Sequence, residues 1–351
     1  VRFFVKSVLK SQPENEEALR LIKEATSRVQ GWAEKQLGDD KLVDAEGYLK
    51  MSKSLIDEFF LVTLQLKQNG LSNSVRFKKE ELAEAEKAAR TKIYKLANNL
   101  TLLPIPAGEF MMGGDAANTS PIHKVKINAF KVGKFEVTVK EFAQFIKATG
   151  YETPNKCRHQ PSKNWHEPWP ITTGSWDEND LSANDLHPVV CIGAGPANAY
   201  AAWLSEVTQK NYRLLSEAEW EYTARAGADT LFNFGNDPEL TEICQYENIA
   251  DLSAERGAQK RYGATYHGIM TKMMGGIARC DDNSAFTNKV GMYKPNSFGV
   301  YDMIGNVTEF VQDCSNPNYQ GAPTNSAAWL TGNCQEQMVR GSSWHWLGGS
   351  T

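Results

Sequence analysis

The chain has 351 residues, of which 41% are hydrophobic and 23% charged, a composition typical of globular proteins with room for two domains. Of the 38 Lys and Arg and the 42 Asp and Glu residues, residues 1–100 carry 18 and 15, which leaves 20 and 27 for a more acidic second part. No basic stripe with interleaved aromatic residues occurs, which argues against a nucleic-acid-binding surface. No apolar run approaches the roughly 18 residues of a membrane span, so no transmembrane segment is predicted.

The first hundred residues predict helices. From Glu14 to Asn98, apolar residues recur at helical spacing in three stretches, with a break at residues 38–40. The organisation is either an all-α helical hairpin of the tetratricopeptide type or a plain antiparallel bundle or coiled-coil stalk. The predicted inner faces comprise Leu19, Ile22, Ala25 and Val29; Leu42, Ala45, Leu49 and Met51; and, over about residues 77–96, Leu82, Ala85, Ala89, Ile93 and Leu96.

A domain boundary is predicted where the composition changes near Leu100. Beyond this point Pro, Gly, Asn and Trp become frequent, and helical periodicity occurs only in patches. Short helices among long turn-rich segments are typical of an α+β domain. We therefore predict a helical domain over residues 1–99 and an α+β domain over residues 100–351.

Three helices are predicted in the second domain. Capping boxes, in which a Ser or Thr is followed three residues later by Glu, start two of them at Thr138 and Ser216. The first should end at Gly150 and the second by Gly227, since glycine readily adopts the left-handed backbone of a helix end. A small-residue helix over residues 197–208 lies between them.

The six cysteines all lie in the second domain. Their number is even and none forms a CxxC pair, so three disulfides in a domain exported to the periplasm or cell surface fit the spacing. The alternative is six buried, reduced thiols in a cytosolic protein. Cys314 and Cys334 bracket a turn-rich loop and form the best-supported pair, while the connectivity of the others stays open. These others are Cys157, Cys191, Cys244 and Cys280.

The run Tyr301-Asp-Met-Ile-Gly-Asn-Val-Thr-Glu-Phe310 predicts a cation site. Its Gly-Asn step allows a tight turn, so that Asp302, Glu309 and intervening carbonyl groups can converge on one hard cation. The alternative is a carboxylate-capped turn that holds only water and backbone amides.

Together with other segments in the same order and spacing, this run resembles the formylglycine-generating enzyme (sulfatase-modifying factor) family. The resemblance extends from about Leu102 to the end of the chain. It implies a fold like that of a C-type lectin, with few regular elements. The segments that carry it are Leu103–Gly113, Val132–Thr138, His187–Val190, Ala199–Leu204, Tyr212–Tyr222, Tyr301–Phe310 and Val339–Trp344.

The resemblance implies two calcium sites. The second one departs from the family pattern, because Asn283-Ser284 replaces the more usual glycine-aromatic step. The first site would use the side chains of Asp302 and Glu309 and the carbonyl groups of Gly305 and Val307, and the second the side chains of Asn248 and Asp282 and the carbonyl groups of Ile249 and Ser284.

The family's catalytic chemistry is not expected in this chain. The enzymes bind Cu(I) through two cysteines just after the strand that corresponds to Gly341–Trp344, since soft thiolates suit Cu(I). Trp346 and Thr351 stand at those two positions. No catalytic residue and no copper are therefore predicted, and a non-catalytic, calcium-stabilised binding or structural module is favoured. The alternative is a copper-dependent formylglycine-generating oxidase or a related metal-dependent oxidoreductase.

The end of the chain predicts a ligand-binding edge. Family members continue for a few dozen residues beyond this strand, so we expect either a longer chain or a partner chain that completes the core. In certain relatives the same segment lines a ligand-binding surface, and Trp344, His345 and Trp346 would lie at its edge. The alternative for these aromatic residues is core packing. Either a protein or a small molecule fits this expectation.

Overall fold

A computed structural model describes residues 15–59, 61–97, 100–158, 171–182, 184–262 and 276–347. The chain divides into two compact units, Val1–Lys92 and Ile93–Thr351. The division falls inside the last helix of the first unit, and the boundary at residues 99 and 100 stays a prediction.

Three helices form the first unit: α1 (Glu16–Gly38), α2 (Leu42–Phe59) and α3 (Val62–Ala97). The side chain of Asn15 caps α1 by accepting a hydrogen bond of 2.9 Å from the Ala18 backbone N–H. All three helices contribute to a buried apolar cluster that contains Ala33, Leu49 and Val75. The predicted all-α character of this part is confirmed.

Parts of the predicted inner faces are wrong. Met51 is 51% exposed, Leu82 is 45% exposed, and Ala85 is also exposed. The third helix begins at residue 62 instead of about 77 and has 36 residues, so it is about 54 Å long, against about 35 Å for the 23 residues of α1. The shorter helices therefore cannot cover its whole length. The predicted inner positions 89, 93 and 96 lie outside the described side chains.

The second unit mixes helices with small sheets, which confirms the α+β prediction. Its described helices are α4 (Val139–Thr149), α5 (Ala194–Thr208), α6 (Glu217–Arg225) and α7 (Leu252–Tyr262), with a 3-10 turn at Ile243–Gln245. Its strands form antiparallel pairs: β1 (Leu102–Ile105) with β4 (Phe130–Gly133), β2 (Gly108–Met112) with β3 (His123–Ile127), β5 (Lys156–Arg158) with β6 (Ile171–Thr173), and β7 (Glu309–Ser315) with β8 (Asn333–Arg340).

Both predicted capping boxes are confirmed. The Glu141 carboxylate accepts a 2.8 Å hydrogen bond from the Thr138 N–H, and the Thr138 hydroxyl accepts one from the Glu141 N–H. Ser216 and Glu219 form the same reciprocal pair at the start of α6. As predicted, α4 ends at Gly150, which has a left-handed backbone with φ of 65°.

Two apolar cores hold the second unit together. The first surrounds Trp220 of α6, which packs with strand residues such as Ile127 and Val311. The second joins α4 and α5 through aromatic side chains, with the rings of Phe145 and Trp203 5.7 Å apart. The first core places the start of α6 beside β7 and β8, and this arrangement positions the site described below.

Three disulfides join distant segments of the second unit, as predicted. They are Cys157–Cys191, Cys244–Cys280 and Cys314–Cys334, and no described cysteine is free. The last one connects β7 to β8, in agreement with the pair singled out from the sequence. No helix in the described ranges has the length and apolar character needed to cross a membrane.

Candidate cation sites and the adjoining cleft

The turn before β7 carries the first predicted site. Asp302 has a left-handed backbone with φ of 58° and is 1% exposed. Its Oδ2 accepts a hydrogen bond of 2.7 Å from the Gly291 N–H, whereas its Oδ1 is buried without a hydrogen-bond partner. Glu309 Oε2 accepts a hydrogen bond of 2.8 Å from Trp220 Nε1. Burial, and next the negative charge of Asp302, raise the pKa of Glu309 to about 7.

Two further buried carboxylates surround this turn, and the sequence did not single them out. Glu136 accepts a hydrogen bond of 2.7 Å from Asn306 Nδ2. Glu247 accepts bonds of 3.1 and 3.0 Å from the N–H groups of Ile304 and Gly305. Burial, and next the charge of Asp302, raise the pKa of each glutamate well above its usual value.

The charge in this group of carboxylates is unbalanced. Across the described ranges, none of Glu136, Glu247, Asp302 and Glu309 forms an ion pair with Lys or Arg, and their recorded donors are backbone amides, Asn306 and Trp220. Burial alone raises the pKa of Asp302 to about 6. Buried carboxylates without a counter-charge are costly, so protons or a bound cation must offset their repulsion.

Gly305 docks the turn against the segment that carries the second predicted site. A Cβ atom at this position would lie 2.3 Å from the Asn248 carbonyl oxygen and 2.9 Å from its nitrogen, so only glycine fits. Asn306 strengthens this contact, since its N–H donates to the Asn248 carbonyl at 2.7 Å. The Asn248 side chain donates through Nδ2 to Asn306 Oδ1 at 2.9 Å, while its own Oδ1 is buried without a partner.

The second predicted site has more oxygen acceptors than donors. Asp282 Oδ1 accepts from the Ser284 N–H at 2.7 Å, and its Oδ2 is buried without a partner. The Ser253 hydroxyl lies 2.8 Å from Asp251 Oδ1, Asp282 Oδ1 and the Ser284 carbonyl, yet its single hydrogen can satisfy only one of them. Burial and the charge of Asp251, a residue that the sequence did not single out, raise the pKa of Asp282 to about 7.

These donor sets suit calcium. Among the described residues, no group of three or more His, Cys, Asp and Glu side chains could hold a metal ion by themselves. The predicted sites instead combine acidic side chains with an amide and backbone carbonyls, and the fully buried Ile249 follows Asn248 directly. Calcium accepts such mixed oxygen ligands, whereas copper and zinc favour sulfur and nitrogen. The three partnerless oxygens, on Asn248, Asp282 and Asp302, fit a hard cation.

A cleft of about 860 Å³ adjoins the first site and is lined by residues 343–346. Trp344 is 4% exposed and packs its ring 5.1 Å from Phe286, so it serves the core as well as the cleft wall. Trp346 is 44% exposed. His345 Nδ1 lies 2.9 Å from the Ser343 hydroxyl, and burial lowers the pKa of this histidine to about 3, which keeps it neutral.

Trp346 stands at the position where the family resemblance implies a copper-binding cysteine. Its backbone is fixed, since the Trp346 N–H donates to the Ser343 carbonyl at 2.9 Å and its carbonyl accepts from the Ala250 N–H at 3.0 Å. Thr351 lies outside the described residues. All described cysteines are in disulfides, so in the described ranges no thiol borders this cleft.

A buried ionic network supports the strand that leads to the cleft. Arg340, at the end of β8, lies 3.1 Å from a Glu217 oxygen and 2.8 Å from a Glu221 oxygen, and all three side chains are nearly buried. Its guanidinium stacks 5.1 Å from the centre of the Trp220 ring, whose N–H donates to Glu309. Trp220 therefore joins the ionic network directly to the first predicted cation site.

Comparisons with known proteins agree with this architecture. Residues 85–350 match the protein family described as sulfatase-modifying factor enzyme 1-like domain. The chain is 27% identical over 260 residues to the formylglycine-generating enzyme of Mycobacterium tuberculosis. This match covers 64% of this chain and 78% of that protein. It is 26% identical to the inactive C-alpha-formylglycine-generating enzyme 2 of Mus musculus, over 71% of this chain and 75% of the relative. The solved structure of PvdO from Pseudomonas aeruginosa is similar with a TM-score of 0.55 and 31% identity, covering 69% of this chain and 82% of PvdO.

Proposed function

The chain belongs to the family of sulfatase-modifying factor enzyme 1-like domains, and on this premise we propose that it is a non-catalytic, calcium-stabilised binding or structural module, exported to the periplasm or cell surface. The observation that carries the proposal is that three oxygens of the predicted ligands are buried without hydrogen-bond donors. They lie on Asn248, Asp282 and Asp302, three of the four side chains that the family resemblance assigns to calcium.

The charge around the first site supports a resident cation. Asp302 and Glu309 would hold it together with the carbonyl groups of Gly305 and Val307, while Glu136 and Glu247 fix the backbone of the turn. Calcium would supply the positive charge that the described contacts of these carboxylates lack. Asn248 and Asp282 would hold a second calcium, with Ser253 and Asp251 orienting Asp282.

The tryptophan at position 346 supports a non-catalytic role, because an indole cannot replace a copper-binding thiolate. One similar protein, from Mus musculus, is described by its name as inactive, so a non-catalytic protein with this kind of sequence has a precedent. The second candidate function is a copper-dependent formylglycine-generating oxidase, and the similarity to the Mycobacterium tuberculosis enzyme favours it.

The three disulfides support export, since reducing compartments do not preserve such bonds.

Removal of calcium should lower the melting temperature. A ligand present at a hundred times its Kd stabilises the folded state by about 2.7 kcal/mol, which corresponds to roughly 5–10 °C for a domain of this size. Calorimetry with and without a calcium chelator measures the difference. Asp302→Ala should lose the part of this response that the first site supplies, while Asp115→Ala, which changes an exposed carboxylate, should keep all of it. An unchanged wild-type melting curve in chelator would favour a turn that holds only water.

The purified protein should not convert a Cys-x-Pro-x-Arg peptide to formylglycine in the presence of copper. The expected result is no product by mass spectrometry above the peptide incubated with copper alone. The Mycobacterium tuberculosis formylglycine-generating enzyme, assayed in parallel, serves as the positive control. Copper-dependent product from this chain would establish the oxidase and reject the non-catalytic proposal.

A further inference from the structure

The first predicted cation site has a buried side and a cleft side. Asp302 is 1% exposed and, like Gly305, does not border the cleft. Glu136, Val307 and Glu309 all line the cleft. A cation held between Asp302 and Glu309 would therefore lie in the wall of the cleft, instead of deep in the core.

The predicted ligands leave room for further oxygens on this cation. Calcium takes six to eight oxygens, and two carboxylates with two carbonyl groups supply about four to six. Glu136 and Glu247 already accept hydrogen bonds from the turn, at the Val307, Ile304 and Gly305 N–H groups. Since Val307 and Glu309 line the cleft while Asp302 lies on the buried side, coordination positions that the protein leaves open would face the cleft, where water or an oxygen of a ligand can fill them.

The remaining cleft wall indicates what such a ligand carries. It is mainly apolar and aromatic, with Phe130, Phe135, Tyr301 and the exposed ring of Trp346 among its members. Lys131 also borders the cleft. An apolar body suits these rings, and a carboxylate suits both the cation and the lysine.

We propose that the cleft binds a ligand with an aromatic or apolar body through a carboxylate that reaches the cation held by Asp302 and Glu309. This inference rests on the proposed calcium site. The carboxylate can belong to a small acid or to the C-terminus of a peptide. In either case, binding depends on the cation, because without it the ligand would meet the carboxylates of Glu136 and Glu309.

Terbium luminescence tests the proposal. Tb³⁺ replaces calcium at oxygen sites, and Trp220, which donates to Glu309, can sensitise its emission. The full chain with Asp282→Ala, which removes one of the two side-chain ligands of the second predicted site, isolates the first one. Lifetimes in H₂O and D₂O count the waters on the ion. We expect at least one water, and a loss of about one water on addition of N-acetylphenylalanine but not of its amide.

The outcomes separate the two proposals. Absence of sensitised emission, or emission that Asp302→Ala does not diminish, rejects the calcium site itself. Emission without a coordinated water, or with waters that neither the small acid nor a peptide with a free C-terminal phenylalanine displaces, overturns the cleft inference and leaves the calcium site standing. A peptide that ends in a free phenylalanine carboxylate, compared with its amidated form, identifies the source: displacement by the peptide but not by the small acid supports recognition of a C-terminus.

Discussion

Replacement of Arg340 by methionine is expected to lower the free energy of unfolding of the second unit by about 3–5 kcal/mol. Arg340 is nearly buried and neutralises Glu217 and Glu221, whose side chains are 5% and 1% exposed. Methionine fills a similar volume but leaves Glu217 without a counter-charge and Glu221 with Arg225 alone, 2.9 Å away. Urea denaturation followed by tryptophan fluorescence measures the loss.

A matched control separates burial from charge. Arg279→Met breaks an ion pair with Glu239 whose side chains are 74% and 66% exposed, and such surface pairs contribute about 0–1 kcal/mol. Replacement of Arg340 and Glu217 together by Met and Gln should recover much of the stability, since Arg225 still pairs with Glu221 and no uncompensated charge remains. Equal losses for Arg340→Met and Arg279→Met would contradict the role assigned to the network.

The Arg340 variant should also disturb the first cation site. The guanidinium stacks on Trp220, and Trp220 donates to Glu309. If this ring shifts, Glu309 loses its hydrogen-bond donor, and the stabilisation by calcium should decrease. The chelator response of the variant, measured by calorimetry, therefore reports whether the network positions the site or only supports the fold.

The sequence predicted the local elements of the second unit well, because their signals are local. Capping boxes at Thr138 and Ser216 need only a side chain and a backbone three residues away. The glycine at position 150 ends its helix for the same kind of reason. The Cys314–Cys334 pair was also readable, since the two residues bracket one short loop.

The sequence could not predict which distant residues complete the site. Glu136 reaches Asn306 across 170 positions, and Glu247 reaches Gly305 across 58. Glu136 lies within a segment that carries the family resemblance and Glu247 directly precedes Asn248, yet nothing in the local pattern states which backbone each carboxylate binds. The prediction of buried helix positions in the first unit was partly wrong for another reason. Whether Leu82 is buried depends on how far the neighbouring helices extend along α3, which its own sequence pattern does not state.

Removal of the Cys314–Cys334 disulfide should cost about 3 kcal/mol. The bond closes a loop of 20 residues, and an open loop regains freedom mainly in the unfolded chain. Cys314 is buried on β7 and Cys334 is exposed on β8, so alanine at both positions removes the link with little change in packing. The double variant is compared with the oxidised wild type by urea denaturation.

The same bond tests the proposed location of the protein. A reducing compartment would leave both thiols free, whereas an exported chain should carry the bond when it is isolated. Peptide mapping under non-reducing conditions should therefore recover residues 314 and 334 in one linked fragment. The wild type with added reductant provides the unlinked control. Free thiols at both positions in freshly isolated native protein would reject export, because the disulfides are the main support for it, while leaving the calcium proposal to its own tests.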